Sequence, residues 1–420
     1  MENKNIKIKK ISLVLLIVAV LIKFLLLALP GHYGDLFLHQ EWGNFLINHS
    51  PTEIYHQTPC NLPPFWIYIL WFFAQVHHLI AQQPLLMTSE AIKMPGVFAD
   101  LAIGLVIFYF LLKKGVKEKI ALLASLFFIL NPFVVYNSSI WGQLDSTYTF
   151  FALLAFVLLD KRKVGWASIF LALSFLTKLQ GVIFVLLFFF LVIKKFGFQK
   201  TIFSIILFLL TIFIVILPFF LNNVDPIFIF QKTWLVSWHQ APVLSVNSFN
   251  FWWPIQAVSF NLEESNLYLR DASFVSLGNN LIMINFKMIG LILFSIFYFI
   301  ILIKYKKNIY LLTSLATLNF FMIPTNIHER YIFPFFAFFS IFWAINWLKE
   351  KKYLLIYFLI SLISFLNLIF AMFGELYNPT LNDFILKISP ALALINFFIF
   401  IYLFFILIKK EPDQLENKKI

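Results

Sequence analysis

Apolar runs recur along the whole chain, at 11–29, 64–81, 92–112, 120–136, 146–159, 164–177, 179–193, 201–220, 281–303, 309–323, 331–347, 353–373 and 388–408. Most are long enough to cross a bilayer as helices. Lysines cluster at their ends, around 7–10, 113–119, 161–163, 194–195, 304–307, 349–352 and 409–410. If every run crossed, the cluster after residue 112 and most later ones would fall outside, against the rule that cationic loops stay cytoplasmic. Reading 64–81 as interfacial or re-entrant puts every cluster on one side with both termini. Its Trp66, Tyr68, Trp71, His77 and His78 are the amphipathic aromatic mix that interfaces favour. The pattern therefore predicts a polytopic all-α membrane protein of about twelve spans. The runs 164–177 and 179–193 are short, so that hairpin is expected to be tilted or packed against neighbours.

The run 11–29 has Lys23 as its single charged residue, spans, and lacks a small-residue cleavage site, so it reads as the first membrane helix rather than a signal peptide. The organisation is one transmembrane domain over 1–408, with external loops at 30–91 and 221–280, followed by a polar cytoplasmic tail at 409–420.

Composition sharpens this picture. The 420 residues are 61% hydrophobic, 20% aromatic and 12% charged, with mean hydropathy +0.88, against about 25% charged residues in a soluble domain. The net charge of +12 sits in helix-end anchors rather than along a phosphate-tracking stripe, which argues against nucleic acid. A single cysteine, Cys60, excludes an internal disulfide and a cysteine metal site. There is no G-x-x-x-x-G-K-[ST] loop for nucleotide phosphates.

On this topology nearly all the unusual polar residues face outward. Asp35 and Glu41-Trp42 follow the first run; a carboxylate near a bilayer is expected to have a raised pKa, which suits proton abstraction, and the spacing of six sets Asp35 and Glu41 on nearly opposite helix faces. Asn61-Leu62-Pro63-Pro64-Phe65-Trp66 reads as a helix break and interfacial anchor. Trp141-Gly142-Gln143-Leu144-Asp145-Ser146 opens a span: Asp145 and Ser146 suit capping, Trp141 and Gln143 pocket lining. Lys178 and Gln180 stand at the tip of the short hairpin, where a cation on the outer side calls for an anionic partner. His328-Glu329-Arg330-Tyr331 offers Arg330 either as a phosphate clamp or as the partner of Glu329. Trp234, Trp238, His239, Asn247, Asn250, Trp252 and Trp253 give the second loop the aromatics and amides of a sugar cleft, a composition shared with an interfacial belt. Lys93 and Asp100 are candidates for interhelical pairing, and Lys93 also for the anion site.

Together these strings, with Gly34-Asp35, Lys93-Met94-Pro95, Asn131-Pro132, Lys178-Leu179-Gln180 and Val246-Asn247-Ser248-Phe249-Asn250, resemble the GT-C superfamily of membrane glycosyltransferases. The closest likeness is to prokaryotic relatives of the GPI-anchor mannosyltransferases. It runs from the first span to about residue 335. The resemblance implies external juxtamembrane helices, an acidic base mapping to Asp35, a polyprenyl-phosphate sugar donor (a hexose such as mannose) and inversion at the anomeric carbon. The acceptor class it leaves open among glycan, lipid and protein. Departures are Asn61-Leu62 where the family has an acid and Tyr, Leu179 where it has Pro, and the absence of a D-x-D signature near Asp35; they leave the sugar and metal use unassigned. No cofactor is named, and the location implied is the plasma membrane with the site extracytoplasmic. The alternative from another class is a transporter or flippase of a lipid-linked glycan, for which inverted repeats and interrupted spans are expected; the polar residues instead gather at one face.

Overall fold

The computed structural model describes residues 2–81, 86–235, 242–262, 270–277, 280–304, 308–348, 350–373 and 379–409. Trp238, His239, Lys306, Lys307, Lys349, Lys410 and the rest of the polar tail lie outside the described residues.

In chain order the helices are α1 (Glu2–Leu25), α2 (Tyr33–Asn48), α3 (Ile54–Gln57), α4 (Pro64–Ala81), α5 (Ser89–Lys113), α6 (Glu118–Ile129), α7 (Pro132–Val135), α8 (Asp145–Asp160), α9 (Val164–Thr177), α10 (Val182–Phe196), α11 (Phe198–Leu221), α12 (Pro226–Phe230) and α13 (Trp253–Leu262). They continue as α14 (Phe286–Ile303), α15 (Ile309–Met322), α16 (Phe333–Ile345), α17 (Lys352–Phe373) and α18 (Pro379–Ile408). Among the described residues, 7 helices can cross a membrane by length and composition, or up to 9 when each of two bent pairs counts as one; α9, α15 and α16 are shorter apolar helices. The chain is a polytopic helical membrane protein.

The helical expectation holds for the chain at large, with one short hairpin beside it. Between α13 and α14, β1 (Ala272–Leu277) pairs antiparallel with β2 (Asn280–Asn285), Ala272 opposite Asn285. Hydropathy alone conceals this hairpin, whose signal is the turn dipeptide Gly278-Asn279 between two six-residue runs containing β-branched residues.

Two ends of the bundle are chemically distinct. At one, lysines from connections far apart in sequence converge: Lys114 bonds Asp160 at 2.6 Å and Lys352 lies 3.1 Å from Glu350. These four and Lys409 line one cavity of about 960 Å³. The other end, separated by the 16 residues of α8, some 24 Å at 1.5 Å per residue, carries Asp35, Lys178 and Arg330.

At that second end the chain turns by 91° between α1 and α2. Helix α4 runs beside α2 in the same direction: the rings of His39 and Trp66 are 6.0 Å apart, and Gln75 donates to the carbonyls of Leu46 and Ile47. Its other partners lie near this end of the bundle. Tyr68 donates to the Val215 carbonyl near the close of α11, Phe65 meets Phe151 near the start of α8, and Phe73 meets Phe98 in the first turns of α5.

Beneath the bend lies a fully buried polar knot. Lys23 of α1 forms an ion pair with Asp100 of α5 and donates to Ser138 at 3.0 Å. Asp100 also accepts from Ser138 and, at 2.6 Å, from Ser146. One carboxylate thus ties together α1, α5, the segment after α7 and the start of α8. In lipid such polar contacts and close packing, rather than the hydrophobic effect, hold helices together.

Candidate functional site

The bend that delivers Asp35 is fixed by its neighbours. Lys93 donates to the carbonyls of Leu27 and Leu29 at 3.0 and 2.5 Å, taking up acceptors that the end of the first span leaves open. His32 caps α2, its Nδ1 accepting from the Asp35 amide at 3.2 Å. The facing segment Tyr136–Trp141 forms a wide π-type turn closed by Gly142 at φ +90°, where a Cβ would run into Leu36. That turn brings Trp141 and Gln143 onto Asp35: Oδ2 accepts from Trp141 Nε1 at 2.8 Å and from Gln143 Nε2 at 2.5 Å. Among the described residues Oδ1 has no such partner, so one oxygen is anchored and the other is available.

Burial by itself would raise the Asp35 pKa. The contact with His32, the Arg330 charge and the Trp141 hydrogen bond outweigh it and hold the carboxyl well below the usual range. This corrects the expectation of a raised pKa: the carboxylate stands among donors and a cation, not in an apolar pocket. Its ionised form is therefore present at any working pH. The stability it contributes is complete above the unfolded pKa of about 3.9 and is lost only as pH falls towards the lower folded value. An activity that depends on ionised Asp35 is expected to show no acid limb from this group between about pH 5 and 8. An acid limb centred near pH 6 in kcat/KM that vanishes on replacing Asp35 would contradict that assignment.

Lys178, at the tip between α9 and α10, meets Asp145 at 2.6 Å and lies 5.4 Å from the centre of the Tyr331 ring. Burial lowers its pKa, with Asp145 acting against the shift and Arg330 adding to it. Asp145 is wholly buried. It serves as the counter-ion of Lys178 rather than as a helix cap, and Ser146 turns to Asp100 instead of capping. Arg330 donates to Glu329 at 2.6 Å and stands 5.7 Å from the Trp141 ring. The Glu329–Arg330 pair is thus formed, and Nε of Arg330 is buried with no hydrogen-bond partner among the described residues. Burial would raise the Glu329 pKa; the Arg330 charge and His328 bring it down to about 2.

Asp35, Trp42, Gln143, Lys178, Gln180, His328 and Arg330 line one polar cavity of about 380 Å³, with Asn61, Leu62 and Pro63 completing it. The last three had read as a structural break only. Trp141, Asp145 and Glu329 stand behind this wall and hold its members. Glu41 is exposed on the far face of α2, as a spacing of six requires. Lys93 is spent on the Leu27 and Leu29 carbonyls and does not line the cavity. Asn247, Asn250 and Trp252 do not line the cavity either: the Asn247 backbone, at φ +58°, bridges to His328. Asn250 accepts from the Trp252 amide, and Trp252 Nε1 donates to the Ile323 carbonyl at 2.7 Å. Asn367 of α17 accepts from the Phe249 amide and donates to the Asn247 carbonyl, so the loop is fixed beside the His328 segment. Trp234 lines instead an adjoining groove.

That groove, about 620 Å³, runs between α10, α14 and α15 along Leu186, Leu291, Phe294 and Phe320. It shares Leu179, Gln180, Asn326 and Tyr331 with the polar cavity. Among the described residues no three His, Cys, Asp or Glu side chains converge to hold a metal ion. The polar cavity and an apolar groove between membrane helices thus share a wall that includes Tyr331. No protein family matches the chain, and no curated protein matches it.

Proposed function

We propose that the protein is a membrane glycosyltransferase that moves a hexose, such as mannose, from a polyprenyl-phosphate donor to an acceptor hydroxyl, with Asp35 as the base and inversion at the anomeric carbon. The observation that carries this reading is adjacency: an apolar groove shares a wall with a cavity lined by two cations and a half-anchored carboxylate. A prenyl chain suits the groove, and its phosphate suits the cavity beside it, where Lys178 and Arg330 are the cations. The acceptor hydroxyl then faces Oδ1 of Asp35, and the cations stabilise the departing phosphate. In this reading α4 does not span, about twelve other segments do, and the lysine-rich end with both termini is cytoplasmic in the plasma membrane. A phosphate-linked donor delivered through the bilayer fits a site on the opposite side, where nucleotide sugars are scarce.

The test is mass spectrometry of surface glycans and lipid-linked intermediates in a strain lacking the protein, complemented with wild type or Asp35→Asn. Loss of one sugar, restored by wild type alone, supports the transferase. Complete glycans stalled on their carrier, with Asp35→Asn complementing fully, would establish transport instead.

Lys178 supplies a second check. Lys178→Ala alone strands the buried Asp145, so it is paired with Asp145→Asn. The double variant is expected to raise the donor KM about tenfold, the scale of one charge-assisted hydrogen bond, with a smaller change in acceptor KM. An unchanged donor KM places the phosphate elsewhere.

A further inference from the structure

Four residues after Asp35, and hence on the same face of α2, stands His39. It is 7% exposed and lines the polar cavity. Its ring centre lies 5.4 Å from that of Trp42 and 6.0 Å from that of Trp66. Nδ1 is buried without a hydrogen-bond partner. Nε2 has no protein partner among the described residues and is not shut away, which makes it the ring atom open to the cavity. Burial, opposed by the Asp35 charge and reinforced by Lys178 and Arg330, lowers the pKa to about 4. The imidazole is therefore neutral, with one donor and one acceptor nitrogen.

A polar ring held between two indoles with its hydrogen bonds unmade is costly to keep unless a ligand completes it. The ligand must be uncharged where it meets the ring, must offer a hydroxyl-type partner, and must present an apolar face to Trp42. A pyranose unit has that combination. The cavity also has two sides. Leu179, Gln180, Asn326 and Tyr331 line both groove and cavity; His39, Asp35, Trp42 and Asn61 line the cavity alone, as do the cations Lys178 and Arg330. The His39 side is the side of the base.

We infer that His39 is the acceptor-recognition residue and that the acceptor is a sugar, one hydroxyl of which bonds Nε2 of His39 while another meets Asp35. The inference rests on the transferase reading and adds to it the chemical class of the acceptor.

The test uses purified full-length protein labelled with [13Cε1]histidine and a panel of methyl hexopyranosides as probes, with binding followed by saturation-transfer NMR. One histidine resonance, identified by its absence in His39→Gln, is expected to shift saturably with a bound glycoside. His39→Phe keeps the ring between the indoles and removes the unpartnered nitrogen. It should melt no lower than wild type, yet bind the glycoside about tenfold more weakly. His39→Gln, which keeps a hydrogen-bonding head, should stay within about threefold. Equal glycoside affinity in wild type and His39→Phe, or a bound glycoside that leaves the His39 resonance unmoved, overturns the role of His39 and leaves the transferase standing. No glycoside bound by wild type, in a protein whose deletion removes one sugar from the surface glycan, overturns the sugar acceptor alone. No binding together with an unchanged glycan profile removes both.

Discussion

Asp35→Asn is expected to lower turnover by roughly 10²–10⁴-fold, the usual contribution of a general base, while folding and donor binding persist. The substitution is nearly isosteric. Its amide oxygen can still accept from Trp141 Nε1 and Gln143 Nε2, the two bonds that fix the carboxylate now. What disappears is charge and basicity at the oxygen facing the cavity. Because Arg330 loses an opposite charge, the variant should bind an anionic donor no more weakly than wild type. Asp35→Ala is the harsher control, since it leaves the Trp141 and Gln143 donors without their acceptor. The measurement is transfer of labelled hexose from polyprenyl phosphate in reconstituted membranes, with donor KM determined alongside. Wild-type turnover in Asp35→Asn would remove Asp35 from the chemistry.

A strongly ionised carboxylate looks like a weak base, and its neighbours explain why. Arg330 and His32 both stabilise the Asp35 anion. A donor phosphate held by Arg330 would share that cation, so the basicity of Asp35 would rise when donor is in place. Three carboxylates, Asp35, Asp145 and Glu329, stand against two cations here, so a bound phosphate must draw on donors the site has not committed. Lys178 has them in its ammonium, whose three N–H groups donate among the described residues to Asp145 alone. Under the proposed reading, donor binding and base activation are then one electrostatic event.

Much of this end was legible in the sequence. Asp35, Gln143, Lys178, Gln180, His328 and Arg330 stand where apolar runs stop, and a polar residue at such a boundary is visible without a structure. The cationic clusters likewise announced one end of the bundle. His39 was missed although the same helical arithmetic that separates Asp35 from Glu41 joins Asp35 to His39; the missing datum was that α2 begins at Tyr33, straight after the bend. The Asn247–Trp252 stretch misled for the opposite reason. Aromatics and amides have the same composition whether they face a ligand or seat a loop, and here Asn367 and the Ile323 carbonyl use them. Asn61 and Pro63 reach the cavity through the path of the chain between α3 and α4, which local spacing does not encode.

Lys23→Met is expected to cost about 3–5 kcal/mol of stability, because it leaves Asp100 as a buried charge with hydroxyls but no cation. Asp100→Leu should cost a similar amount by stranding the ammonium. The double variant Lys23→Met/Asp100→Leu removes both charges and should recover most of the loss, since a well-packed apolar pair is often no less stable than a buried ion pair. Chemical denaturation in mild detergent gives the four corners of this cycle. Additive losses in the double variant would mean that the two residues are not coupled. Recovery of stability need not restore activity. Asp100 also accepts from Ser138 and Ser146, which flank the turn that aims Trp141 and Gln143 at Asp35 and open the helix that begins with Asp145. A double variant that is stable yet slow would assign the pair to placement of the site. One that is both stable and fully active would confine it to holding α1 against α5.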